Sequence, residues 1–168
     1  MTAAEFGEVR SRLIRDFAAD QVRAGAWAAA DAEDRAASQT DGLLPQGVRT
    51  PGMLLLTAQA ADGTRIGHVW IALQHPDAGQ DAWIYDIEIA PEQRGRGYGR
   101  ALLAAAEREA VRHGARGMGL NVFGPNAVAR GLYESAGYEI TTMQLRKELA
   151  REELTGEELT GEGGPWGA

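Results

Sequence analysis

The sequence predicts a mixed α/β domain built on one mostly antiparallel central sheet flanked by helices. Three observations carry that reading. Apolar residues recur at helical spacing over 5–23, three strand-like runs follow one another over 53–89, and helices and strands then alternate to about residue 147. At 168 residues the chain can bury one core. A single domain over 1–148 is expected, followed by a flexible acidic, glycine-rich tail over 149–168.

The first helix, 5–23, lines up Phe6, Val9, Leu13, Ile14 and Phe17 on one side and is expected to cover the sheet. "AGAW" at 24–27 interrupts it, and 28–40, rich in Ala, Asp and Glu, predicts a second helix. The prolines and glycines of "DGLLPQGVRTPG" (41–52) mark a loop. Strands are predicted at 53–60, 65–73 and 82–89, with "ADG" (61–63) making a hairpin of the first two and "QHPDAGQD" (74–81) forming the next turn. A helix over about 97–113 buries Gly99, Leu102, Leu103, Ala106 and Ala110, and His113-Gly114 ends it. "MGLNVF" (118–123) reads as a strand, 126–136 as a short helix stopped by Gly137, and 138–147 as a closing strand. Beyond it "EELTG" is written twice over 152–161, a composition that suits a frayed extension.

Composition removes several function classes. No apolar run approaches the roughly 20 residues of a membrane helix, and the charged N-terminus has no signal core, so a cytoplasmic location is expected. The absence of cysteine excludes disulfides, cysteine-bound metals and a cysteine nucleophile. His68, His75 and His113 lack ligand spacing, so no metal is expected, and none of Ser11, Ser38 and Ser135 sits in a nucleophile elbow. A net charge of −7 argues against a nucleic-acid binder. Arg94, Arg96 and Arg100 nevertheless concentrate positive charge at one point, which suits a small anionic ligand.

Those arginines alternate with Gly95, Gly97 and Gly99 where a helix is about to start. Bare glycines let successive N–H groups point into one concavity, and the helix N-terminus adds partial positive charge, so phosphate is the natural guest. The dinucleotide fingerprint fails, because its third glycine would fall on Arg100 or Leu102. The nucleotide P-loop fails too, because the only lysine is Lys147.

"RGRGYG" (94–99) resembles the Arg/Gln-x-x-Gly-x-Gly/Ala signature of the GNAT superfamily, the acyl-CoA-dependent N-acyltransferases. "DIEIAPEQ" and "RALLAAAE" match its flanking strand and helix, and "LNVFGPNAVARGLYESAGYEI" resembles the family's second block. The resemblance covers about 53–147. It departs at the start, where most members open with a short strand and this chain opens with a helix.

The resemblance implies the GNAT fold, acetyl-CoA as cosubstrate and no metal. The amides of Gly95, Gly97, Gly99 and Arg100 would hold the coenzyme A pyrophosphate, with Arg94, Arg96 and Tyr98 in the same loop. Strand 82–89, bulged and splayed from 118–123, would pair with the pantetheine through the main chain of Ile87 and Ile89, the former polarising the thioester carbonyl. Asn126 would touch the cofactor, its competing role being a helix N-cap. Tyr133 would lie beside the sulfur as the acid, although spacing alone would have it pack with Leu132 against the sheet.

Acetyl transfer to an amine also needs a base, since an alkylammonium has a pKa of about 10.4. Asp86 and Glu88 lie two apart on a strand, hence on one face, with Trp83, Tyr85, Ile87 and Ile89 on the other. Glu88 is the first choice and Asp86 the second, an ordinary polar face being the competing reading. Relatives that acetylate a ribosomal protein's N-terminus tend to carry glutamate where Asn121 stands. The acceptor expected is a primary amine on a small molecule or peptide, attacking directly in a ternary complex. Segments 24–52 and 53–60 and the loop after 73 would shape its pocket. No nucleic acid or membrane is expected as partner, and a homodimer is allowed. The alternatives are a non-catalytic acyl-CoA-binding regulatory module, or a protein in which "QRGRGYG" is only a turn.

Overall fold

The structure, a computed structural model, describes residues 1–74, 81–145 and 147. The chain divides into two units, 1–138 and 139–168, and the first carries all the described helices and strands. In order these are α1 (Ala3–Arg23), α2 (Ala32–Leu43), a 3-10 turn (Gly47–Arg49), β1 (Met53–Gln59), β2 (Arg65–Gln74) and β3 (Asp81–Ile89). A second 3-10 turn (Pro91–Gln93), α3 (Tyr98–Arg112), β4 (Gly117–Leu120) and α4 (Ala127–Ser135) complete the unit. The sheet runs β1-β2-β3-β4, antiparallel across the first two interfaces and parallel across the last.

Alternation along β2 explains why both faces of the sheet are covered. Val69 and Ile71 point to one face and Trp70 to the other, and all three are buried. On the first face Val69, Ile71, Ala82 and Ile84 meet Leu102, Leu103, Ala106 and Ala110 of α3. The alanines keep that side of the helix low, so its backbone can approach the sheet, and each larger side chain sealed there contributes about 1.5–3 kcal/mol. On the second face Leu55 and Trp70 pack with Leu44, and Phe6 and Leu13 of α1 close over them. This is the expected covering role of the first helix. A Thr2–Glu5 capping box starts α1. The Arg10 guanidinium forks onto the Asp41 carboxylate of α2 at 2.7–2.9 Å.

Several expectations need correction. The second helix starts at Ala32, later than 28, because residues 29–31 form a turn. The strand expected over 118–123 ends at Leu120, and 121–123 have no regular structure. The closing strand over 138–147 is not formed in its described residues, 138–145 and 147. Its apolar side chains Ile140, Met143 and Leu145 are exposed, so no burial favours an extended ladder there. The turn residues 75–80 and the tail from 148 lie outside the described residues.

The side-chain faces of β3 also differ from simple alternation. Trp70 pairs with Asp86 but Ile71 pairs with Ile84, so Tyr85 is an extra residue, a β-bulge. The bulge reverses the phase. Ile87 and Ile89 join Ala82 and Ile84 on the α3 face, while Tyr85 stacks on Trp70 at 4.7 Å, on the face that α1 covers. Trp83 and Tyr85 therefore do not share a face with Ile87 and Ile89 as expected. Asp86 and Glu88 do share one, opposite Trp70 and His68.

Candidate active site

β3 and β4 pair only through Asp81–Ile84 and Gly117–Leu120, and the ladder stops where the bulge begins. Beyond it the far edge of β3 pairs with no described residue. The Ala90 N–H bonds to the Ile66 carbonyl of β2, and the Glu88 carbonyl lies so close to β2 that a methyl on Gly67 would sit 2.1 Å from it. Because main-chain groups alternate along a strand, those of Ile87 and Ile89 point the other way, into the gap. The Ile89 carbonyl is taken by Arg94 Nε at 3.0 Å. That leaves the Ile87 groups and the Ile89 N–H facing the opening.

The glycine loop lies just past the end of β3. Gly95 and Gly97 have φ of +74° and +81°, a backbone region that side chains disfavour. Added Cβ atoms at either would meet nothing within 4 Å, so the space beside them is open. The N–H groups of Gly95, Arg96, Gly97, Tyr98, Gly99 and Arg100 make no hydrogen bond to any described residue. This run of unsatisfied donors, ending on a helix N-terminus, has the chemistry to hold an anion. Gly99 differs from the other two. It lies in the first turn of α3, where a Cβ would touch Leu132 of α4 at 3.5 Å. The arginines are partly engaged: Arg96 donates to Gln93 at 3.2 Å, and Arg100 donates to Ser135 Oγ at 2.9 Å, tying α3 to the C-terminal end of α4.

Tyr133 projects from α4, half-buried, with its ring 5.7 Å from that of Tyr138. Burial, and after it the negative charge of Asp86, pushes its phenol above the ordinary tyrosine value. Tyr133 is therefore a phenol held neutral, within electrostatic reach of Asp86. Asn126 takes up its expected capping role, Oδ1 accepting from the Ala129 N–H at 3.1 Å. Its side-chain amide donors remain unengaged among the described residues.

The two carboxylates have different surroundings. Glu88 lies between two guanidinium groups, Arg12 Nε 3.0 Å from one oxygen and Arg94 3.2 Å from the other. The Arg12 approach is an ion pair without a well-aimed hydrogen bond, since that buried Nε–H points past the carboxylate. Among the described residues Asp86 bonds one partner: its Oδ2 lies 2.6 Å from Nε2 of the buried His68, and Oδ1 carries no bond to a described residue. His68 and Arg12 were not singled out from the sequence. The available signal for His68 was a lone polar residue within the otherwise apolar "IGHVWIAL" run (66–73); Arg12 offered none. Among the described residues no group of three or more His, Asp or Glu is placed to hold a metal ion, and no helix is long and apolar enough to cross a membrane.

Residues 16–138 match the acetyltransferase (GNAT) family. YycN of Bacillus subtilis strain 168, an uncharacterized N-acetyltransferase, is 32% identical over 149 residues, which is 89% of this chain and 96% of YycN. The YycN crystal structure superposes with a TM-score of 0.85 over 89% of this chain and 95% of that one. AAC(6')-Iy bound to the bisubstrate analog CoA-S-monomethyl-acetylneamine shares the fold alone, at 23% identity and a TM-score of 0.52 over 69% of this chain and 80% of its own. The chain belongs to the acetyltransferase (GNAT) family and is an N-acetyltransferase.

Proposed function

We propose that this protein transfers the acetyl group of acetyl-CoA to a primary amine by direct attack, with both substrates held at the gap between β3 and β4. One observation carries the reading: the unsatisfied N–H groups of Gly95–Arg100 lie past the end of a strand whose next free main-chain groups face the same opening. The cradle fits a pyrophosphate in charge and in the space left by the glycines. Coenzyme A, when bound, supplies an activated thioester. The chain's own groups do the rest.

In this reading the Gly95, Gly97, Gly99 and Arg100 amides hold the pyrophosphate, with Arg94, Arg96 and Tyr98 around it and Asn126 at the opposite rim. The Ile87 N–H stabilises charge developing on the carbonyl oxygen, and the Ile89 N–H aligns the arm. Asp86 removes the ammonium proton. Its free Oδ1 suits that task better than Glu88, whose oxygens are both committed to arginines. Tyr133 gives its proton to the departing sulfur, a role for which a phenol kept neutral is prepared. The acceptor and a cytoplasmic location belong to the same proposal.

The experiment is thiol release from acetyl-CoA against a panel of polyamines, amino acids, aminoglycosides and peptides, run beside thermal melts with coenzyme A. The reading expects stabilisation by coenzyme A and acceleration by at least one amine. Stabilisation without acceleration by any amine would leave the non-catalytic acyl-CoA-binding module. No stabilisation would reduce the glycine loop to a turn.

A further inference from the structure

We propose that His68 is a positioning residue for the transfer, fixing Asp86 so that the free carboxylate oxygen faces the amine. The inference rests on the reading of Asp86 as the base. It comes from a diagonal contact across the sheet. In the register His68 stands opposite Glu88, yet its ring reaches the neighbouring row and bonds Asp86 at 2.6 Å. His68 is 3% exposed, whereas the Asp86 side chain is 27% exposed, so the pair runs from the interior to the surface of the cleft.

The bulge makes this possible. By inserting Tyr85 it places Asp86 opposite Trp70 and on the same face as His68. An Asp side chain is short and turns freely about its last bond, so one oxygen anchored in the interior sets the direction of the other. The inner end is sealed. A cavity of about 10 Å³, lined by Phe6, Val9, Leu13, Leu55 and Trp70, lies beside the pair. That is room for about one water. The charged groups facing His68 are Asp86 and Glu88 from β3, Arg10 and the Glu88-bound Arg12 from α1, and the Met1 ammonium, which donates to the Leu55 carbonyl. From β1 comes Thr57, directly opposite His68, with its Oγ1 buried and unpaired, and from α2 Thr40. Among the described residues only Asp86 is hydrogen-bonded to the ring.

Gln can present a donor close to where Nε2 stands, whereas Asn is too short to reach Asp86. The test measures thiol release with the fastest amine of the panel above, using the full chain. His68→Gln should stay within several-fold of the parent. His68→Asn should lose about 100-fold in kcat with KM for acetyl-CoA unchanged, the cost of a misplaced reacting group. In an Asp86→Asn background, His68→Asn should add almost nothing, because residues acting as a unit are not additive. A full further loss in that background, or a His68→Asn variant within threefold of the parent, overturns the proposal. An Asp86→Asn variant with parental turnover removes the base reading itself, a different failure. Imidazole nitrogen NMR reads the contact without turnover: the His68 Nε2–H signal of the folded parent should shift in Asp86→Asn, and an unmoved signal also overturns the proposal.

Discussion

The two faces of the sheet are built from the same strands and do opposite work. Toward α3, Val69, Ile71, Ala82 and Ile84 present only hydrocarbon, and the helix answers with leucine and alanine. Toward α1, the apolar patch of Leu55 and Trp70 gives way within one strand position to His68, Asp86 and Glu88, with Arg12 laid across from the helix. The first face is held by burial, which is non-directional and tolerant of small shifts. The second is held by pairs whose geometry must be right, since a buried polar group without its partner is expensive. The two carboxylates and the packed α3 core are thus separated by the thickness of one sheet, and substitutions on the two sides should give different signatures.

The largest effect belongs to the packed face. Ile71 is 0% exposed, so Ile71→Ala should cost about 2–5 kcal/mol in chemical denaturation. The protein that remains folded should keep the parent's KM for acetyl-CoA. A large rise in KM would mean that the two faces are mechanically coupled and the separation is false. Tyr133, which packs from α4 against that same core, should behave in reverse when changed to Phe. Turnover should fall by about 10²-fold, the low end of an acid's contribution, while the melting temperature stays near the parent's. Unchanged turnover would remove Tyr133 as the acid and leave it the packing role its neighbour Leu132 already has.

Gly97→Ala probes the cradle, which belongs to neither face. At φ of +81° a Cβ costs about 1–2 kcal/mol, and relief of that strain would turn the neighbouring amides out of the concavity. Calorimetric affinity for coenzyme A should drop by roughly tenfold, as 1.4 kcal/mol per decade requires. Gly99→Ala, in ordinary helical conformation with only a side-chain contact at 3.5 Å, should weaken binding less. Equal losses at both positions would show that space, and not backbone direction, is what the glycines provide.

What the sequence made legible follows from the range of the forces involved. The meander, α1 and α3 announce themselves through local periodicity, and the glycine loop through residues whose backbone freedom is needed at that spot. The bulge at Tyr85 does not, because the extra residue is defined only against a partner strand. His68 and Asp86 are 18 residues apart, joined by register and a diagonal reach that spacing cannot reveal. The closing strand, not formed in the described residues of 138–147, is the converse case. Residues 138–147 have strand-like composition, yet a strand is a pairing, and composition alone supplies no partner.

The smallest effect concerns pH and lies where the polar side meets the core. Tyr133 and Tyr138 are both raised above the ordinary phenol value of 10.0, first by burial. For Tyr133 the Asp86 charge adds to this. For Tyr138 the nearby Glu107 does, although its approach falls short of a well-formed hydrogen bond, since the Tyr138 hydroxyl is buried without a partner. A phenol raised in the folded state favours folding fully below pH 10. That contribution is lost as pH rises from 10.0 toward the folded value, because the unfolded chain ionises first. Stability should therefore decline with alkali above about pH 10, and Tyr138→Phe should flatten the decline without altering the pH dependence of turnover. Tyr133→Phe should flatten it as well, but only that variant should also lose turnover. If Tyr138→Phe changed the turnover profile, the acid's role would be shared between the two neighbouring phenols, both of which pack against the α3-side core.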